Sequence, residues 1–421
     1  MTKDKIFIPE LLAPAGDLAK LKTALLYGAD AVYLGGDELN LRAASNGLNH
    51  QELTAGVQLA NRQGARVYYT LNSLPMPDDF SRLPEAIENA AAAGVHGFIV
   101  ADPGVLRLIR RYAPQVEIHL STQVNTTNSE AIAFWREWGV DRVNLARELS
   151  CREMGKIRAT SPDIELEVFV HGAMCLAVSG QCLLSAWLNR RPANLGQCTQ
   201  PCRFEYRATM VEEIAVNEKT RPDEVMWRVR EDESYSSFWA PADLCLLPWL
   251  AWFVEHRINA LKIEGRAKGA AYLAHVVDAY ASALRQLPLK GSRWPDPYMK
   301  ELLLGSSRPL SSGFFLPHER VGLNARFAHL NRNESRVLAQ VAEPLKQGAW
   351  LIDVRGRWQA DFSVELMLPG MQRPLVTTYA LENQRGELAT LVHSGTRCVF
   401  YCQHPGIRPG IFIRQAQTPC A

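Results

Sequence analysis

Four of the nine cysteines fall within one stretch, "HGAMCLAVSGQCLLSAWLNRRPANLGQCTQPCRF" (171–204), as Cys175, Cys182, Cys198 and Cys202 in the spacing C-x6-C-x15-C-x3-C. Four thiolates from one short segment can hold a 4Fe–4S cluster or a tetrahedral zinc ion, and clustered thiols can also simply be buried. Zinc ribbons use tight C-x2-C knuckles, whereas the intervals here are wide and irregular. They suit the larger iron–sulfur cube, with zinc and structural burial as the alternatives. Gly172, Gly180 and Gly196 would let backbone amides approach the sulfurs. Cys245, after "APADL", reads as a small apolar residue on a helix face. Cys398 and Cys402, in a strand-like run, read as β-core, and Cys151 and Cys420 carry little signal.

Around the cysteines stand other residues able to do chemistry. Arg147 and Arg266 are forks that could clamp a carboxylate or phosphate, and His171 and Glu264 could move protons. Asn72, Asp102, Gln123 and Glu148 occupy comparable positions. For each, the plain alternative is pairing with a neighbouring charge or capping a helix. Trp187, Arg190, Arg191, Arg203, Phe204, Tyr206 and Arg207 form a basic, aromatic set that could face RNA phosphates and bases or be a self-paired solvated face.

What would bring these residues together is a barrel. Apolar strand-like runs alternate with helical patterns: "ELLAP" (10–14), "AVYLGG" (31–36), "RVYYTLN" (66–72), "GFIVAD" (97–102), "EIHLSTQ" (117–123), "RVNLARE" (142–148), "LEVFVHG" (166–172) and "ALKIEGR" (260–266). Eight strand–helix units predict an α/β fold, a closed (β/α)8 TIM-like barrel over 1–290, with an open doubly wound sheet as the rival. In such a barrel chemistry gathers at the carboxyl ends of the strands, which is where Asn72, Asp102, Gln123, Arg147, Glu148, His171, Glu264 and Arg266 fall. The cysteines lie in an insertion after the seventh strand, 173–240, in which "VMWRVREDESYSSFW" suggests a hairpin with a charged turn. Residues 291–333 read as an irregular linker, and 334–421, with short alternating strands, as a small C-terminal antiparallel β-barrel.

The 421 residues carry 46 Lys+Arg against 44 Asp+Glu, a net charge of +2, which excludes a broadly basic nucleic-acid coat but not a local basic site. The amino-terminal stretch lacks the apolar core of a secretory signal, and the longest apolar run, "LLPWLAWFV", is too short to span a bilayer. The expectation is a cytoplasmic protein with no membrane partner, where clustered thiols serve metals or catalysis rather than disulfides. No G-x-G-x-x-G, P-loop, G-x-S-x-G or H-E-x-x-H motif occurs, which argues against a nucleotide-loop enzyme, a hydrolase elbow and a zinc protease.

"EVFVHGAMCLAVSGQCLLS", together with "ELLAPAGD", "GADAVYLGG", "LSTQVNTTN", "ARELS" and "LKIEGR" in that order, resembles the peptidase U32 family, the collagenase-like proteases. "NLGQCTQPCRFEY" with a β-rich tail is most similar to its branch of prephenate-dependent tRNA uridine hydroxylases. The resemblance implies a 4Fe–4S cluster on Cys175, Cys182, Cys198 and Cys202, with Cys245 the runner-up to Cys202. It also implies prephenate as hydroxyl-donating co-substrate in place of O2, tRNA as the substrate, 5-hydroxyuridine at the wobble position as the product, and iron–sulfur assembly or electron-donor partners. Hydroxylation of an rRNA cytidine or a ubiquinone precursor, and metal-dependent peptidase activity, are the alternatives within the family.

Overall fold

A computed structural model of the chain describes residues 7–36, 47–175, 177–178, 181–182, 184–191, 193–203, 205–206, 214–218, 221–229, 236–237, 242–290, 296–308, 310–316, 336–346 and 348–416. Seven parallel strands, β1 (Glu10–Pro14), β2 (Ala31–Leu34), β3 (Arg66–Leu71), β4 (Gly97–Val100), β5 (Glu117–Leu120), β6 (Arg142–Asn144) and β7 (Glu165–Gly172), pair in sequence order. The eighth barrel strand, Ala260–Ile263, bonds to both β7 and β1 and closes the ring. The expected TIM-like barrel is therefore what forms, and the open sheet is not. Near-continuous apolar strands have this outcome because helices cover one side and the barrel lumen the other.

The helices are set by local chemistry. Asp17 caps the helix Leu18–Leu26, and capping boxes start His50–Arg62 (Asn49 with Glu52) and Cys151–Thr160 (Ser150 with Glu153). Outward-facing strand residues such as Leu11, Val67, Phe98 and Val143 join the helices in the main apolar core. The lumen has only a small apolar cluster, Leu12, Ala31, Tyr33, Tyr68 and Ile99. The rest of its filling is polar and charged, where branched aliphatics are the usual occupants.

The segment after β7 returns to the barrel edge. Asp243–Cys245 pairs antiparallel with the end of β7, Leu244 opposite Gly172 and Cys245 opposite His171, and Leu310–Ser311 joins on its other side. The hairpin within the insertion differs from expectation. Arg221–Val229 pairs backwards with Ile214–Glu218, and Ser236–Ser237 pairs with Glu205–Tyr206, so among the described residues the strand containing "VMWRV" has its partner upstream; the charged turn, 230–235, lies outside the described residues. The short link between 218 and 221 closes the nearer partners first.

The stretch read as an irregular linker, 291–333, contains the helix Asp296–Gly305. Its Pro and Gly punctuation sits at the ends, while Tyr298 and Leu302, four apart, are buried on one face. With the barrel helix Ala270–Lys290 it forms a shelf for the C-terminal antiparallel domain, whose main sheet is a curled seven-stranded array built on Val337–Lys346, Ala349–Val354, Arg397–Tyr401 and Phe412–Gln415. The shelf is bonded, not merely apposed. Fully buried Asp278 accepts from the Gly370 amide at 2.7 Å and Arg373 at 2.8 Å, and Glu301 accepts from His275, Arg373 and Arg414 at 2.8–3.1 Å. No helix among the described residues is long and apolar enough to cross a membrane.

Candidate active site

The carboxyl ends of the strands surround a cavity of about 130 Å³. Tyr33 from β2, Thr70 and Asn72 at the end of β3, Gln123 after β5, Asn144, Arg147 and Glu148 from and after β6, Phe169 from β7, and Lys262, Glu264 and Arg266 from and after the eighth strand line its wall. Cys175, Cys182, Cys198 and Cys202 line the same wall from the insertion.

Gly172 makes the junction possible. Its φ is +106°, and a Cβ there would come within 2.5 Å of the Glu264 carbonyl oxygen. Only glycine lets the chain leave β7 this close to the eighth strand and deliver Cys175 to the rim. All eight described cysteines are thiols outside disulfides. The Leu184 amide donates to Cys182 Sγ at 3.4 Å and the Gln200 amide to Cys198 Sγ at 3.3 Å. Amide donors of this kind are also what surrounds the ligand sulfurs of metal and cluster sites. These donors are not the expected glycines, and Gly180 lies outside the described residues.

Among the described residues, no three His, Cys, Asp or Glu side chains stand at metal-ligating distance from one another. The four thiols thus share a wall without being drawn together. Their number, softness and amide donors fit a thiolate-bound group such as an iron–sulfur cluster. Cys245 stands apart from them: it is fully buried off the cavity, with Tyr280 donating to its sulfur at 3.9 Å, and burial pushes its thiol up to about 11.

Arg147 lies 3.8 Å over the Phe169 ring and donates to the Ala173 carbonyl at 2.8 Å, the residue two before Cys175. Arg266 donates to the Thr70 hydroxyl at 3.1 Å and faces the Tyr33 ring at 5.5 Å. The Tyr33 hydroxyl donates to the Ile263 carbonyl at 2.9 Å and stands 3.3 Å from Glu264 Oε2. Two forks and one carboxylate are thereby fixed by aromatic rings on opposite sides of the cavity.

Two anticipated residues play other parts. His171 does not line the cavity. A bulge around Val170 breaks the register between β7 and the eighth strand, so Phe169 faces the lumen while His171 packs against Tyr280 and Tyr272 of the covering helix. Burial, then the nearby Lys268 charge, lowers its pKa to about 3, so it is neutral at pH 7. Asp102 caps the helix Pro103–Tyr112 through the Gly104 and Val105 amides. Of the basic and aromatic set, Arg190 and Arg191 are exposed, while Phe204 and Arg207, and the side chains of Trp187, Arg203 and Tyr206, lie outside the described residues.

Sequence reasoning missed Lys262. Its ammonium lines the cavity, donates to Glu167 Oε1 at 2.7 Å and lies 4.5 Å over the Tyr33 ring. Burial alone would raise Glu167, but Lys262 and Arg142 outweigh it and hold the carboxyl below its usual range. The only signal in the sequence is a charge interrupting each of two apolar strands, "ALKI" and "LEVFV".

The family model described as Peptidase family U32 matches residues 16–324. The chain belongs to peptidase family U32. Curated relatives are similar over different spans. The tRNA hydroxylation protein P1 of Bacillus subtilis (strain 168) is 41% identical over 66% of this chain and 63% of its own length. The tRNA hydroxylation protein P of Escherichia coli (strain K12) is 31% identical over 91% of each chain. A 23S rRNA 5-hydroxycytidine synthase of the same Escherichia coli strain is 32% identical over 65% of this chain but only 39% of that protein. The U32 match takes in the barrel from its first helix onward, the cysteine insertion and the helix Asp296–Gly305, so every cavity residue named above lies inside it.

Proposed function

We propose that the chain is a cytoplasmic tRNA hydroxylase that forms 5-hydroxyuridine at the wobble position, with prephenate rather than O2 as the source of the hydroxyl. The observation that carries this reading is the shared wall: four cysteines and two fixed arginines line one cavity at the mouth of a U32 barrel. The names of the relatives support tRNA as the substrate, and collinearity favours it over rRNA, since the match to protein P runs through nine-tenths of both chains.

In this reading Cys175, Cys182, Cys198 and Cys202 hold a 4Fe–4S cluster, which when bound supplies one-electron transfer next to the cavity. Arg147 and Arg266 draw the dicarboxylate prephenate into the cavity by its negative charge. Glu264, oriented by Tyr33, holds or delivers a proton at Oε2. The C-terminal β domain, locked to the barrel through Asp278 and Glu301, holds the RNA while the target base is turned out toward the mouth. The peptidase reading suits the cavity less well. Its hydroxyl groups, on Tyr33, Thr70, Ser121 and Thr122, have no histidine among the described lining residues to act as their base.

Anaerobic purification tests the cofactor. Brown protein with about four iron and about four sulfide per chain is expected. A colourless protein holding a single zinc would contradict the reading.

A further inference from the structure

The barrel lumen carries a chain of alternating charges. Glu117 pairs with Arg66 at 2.5 Å, Arg66 reaches Glu10 at 3.9 Å, Arg142 bonds Glu10 at 2.6 Å and lies 3.6 Å from Glu167, and Glu167 ends on Lys262 at 2.7 Å. Each of six strands contributes one residue to it. Buried ion pairs are often no more stable than an apolar replacement, so a lumen filled this way asks for a reason beyond stability.

The reason lies at the upper end of the chain. Lys262 is only 3% exposed and lines the cavity, yet among the described residues just one of its three N–H groups has a hydrogen-bond acceptor, Glu167. Tyr33 and Phe169 flank it at 4.5 and 5.3 Å, which keeps the ammonium from swinging aside. Glu167 Oε1 also accepts from Asn144 at 2.9 Å and its Oε2 lies 3.6 Å from Arg142, which holds the carboxylate beside Lys262. The result is a rigid positive charge on the cavity floor with donors to spare.

We propose that Lys262 is a positioning residue that receives the inner carboxylate of the small-molecule ligand, below the two arginines at the rim. This deepens the function proposed above and rests on it for the ligand being an organic dicarboxylate. Lys262 precedes Glu264 by two residues, about 7 Å deeper along the strand. A terminal carboxylate fits the closed end of a narrow cavity. An RNA phosphodiester continues in both directions and would have to thread in and out of it.

The test is calorimetric titration of anaerobically purified holoprotein with prephenate and, separately, with malate, alongside tRNA binding and steady-state kinetics. Lys262→Gln should weaken dicarboxylate binding and raise the donor KM about 30-fold with tRNA affinity nearly unchanged, and should lower the melting temperature because Glu167 is left buried without its cation. The double variant Glu167→Gln/Lys262→Met removes both charges, leaving Arg142 its bonds to Glu10 and Glu165, and should show the same loss. Wild-type affinity for the dicarboxylate in either folded variant would overturn the assignment, as would a loss of tRNA affinity without loss of dicarboxylate binding. Should the wild type take malate and not prephenate, the donor identity falls; Lys262 keeps its role if Lys262→Gln weakens malate. Unchanged prephenate use by Lys262→Gln protein that still hydroxylates tRNA removes Lys262 and leaves the proposed function standing.

Discussion

Arg266 donates a 3.1 Å hydrogen bond to the hydroxyl of Thr70, joining the loop after the eighth strand to β3 across the cavity. The bond uses one side of the guanidinium fork and, with the Tyr33 ring beside it, sets the plane in which an anion must approach. Replacing Arg266 with Lys keeps the charge but loses that plane. The expected outcome is a drop of about tenfold or more in kcat/KM for prephenate with tRNA affinity unchanged, measured by steady-state kinetics and filter binding. Weaker tRNA binding with normal donor saturation would show that Arg266 faces the RNA.

The cysteines divide into two groups by position. Cys175→Ser or Cys182→Ser should bleach the visible absorption and cut the iron and sulfide content. Cys245→Ala should leave both unchanged, because that sulfur is buried beside Tyr280 away from the cavity. It should cost only about 1–2 kcal/mol of stability, for a lost weak acceptor and a small void. Loss of iron from Cys245→Ala protein would return Cys245 to the ligand set.

His171 makes a pH prediction. Its folded pKa of about 3 lies below the 6.5 of the ordinary imidazole, so on acidification the unfolded chain takes the proton first. Its contribution to stability is complete above pH 6.5 and is lost as the pH falls from there toward 3. Below pH 6.5 the slope is about 1.4 kcal/mol per pH unit. Urea unfolding at pH 7.5 and 5.5 should show a smaller acid penalty for His171→Gln than for the wild type. Equal penalties would place His171 in contact with solvent or a counter-ion.

The barrel and the β domain should unfold together. Asp278→Ala leaves Arg373 and two amides without their buried acceptor and is expected to lower the unfolding free energy by about 3–5 kcal/mol. Differential scanning calorimetry should show the single transition of the wild type moving down or splitting in two. An unchanged transition would mean that the apolar contacts of Tyr27, Met367 and Phe412 suffice for docking.

How legible the molecule was in its sequence follows from the range of the interactions. The barrel could be read because each strand is an apolar run bounded by its own helix signals, and those are local. The cavity wall could be read because barrel strands end on one side. The Lys262–Glu167 pair could not, since its members are 95 residues apart and each shows only as an interruption of an apolar strand. His171 misled because strand alternation places it with Phe169, and the bulge at Val170 that turns it outward leaves no local mark. The helix Asp296–Gly305 was hidden by the proline and glycine at its borders, and the "VMWRV" strand by a nearer partner than the one its charged turn suggested.

Nucleoside mass spectrometry of tRNA from a deletion strain, complemented with wild-type chain or with Cys175→Ser, tests the central claim most directly. The account predicts that 5-hydroxyuridine disappears on deletion, returns with the wild type and stays absent with the variant. Full 5-hydroxyuridine in the deletion strain, or its return with Cys175→Ser, would contradict it.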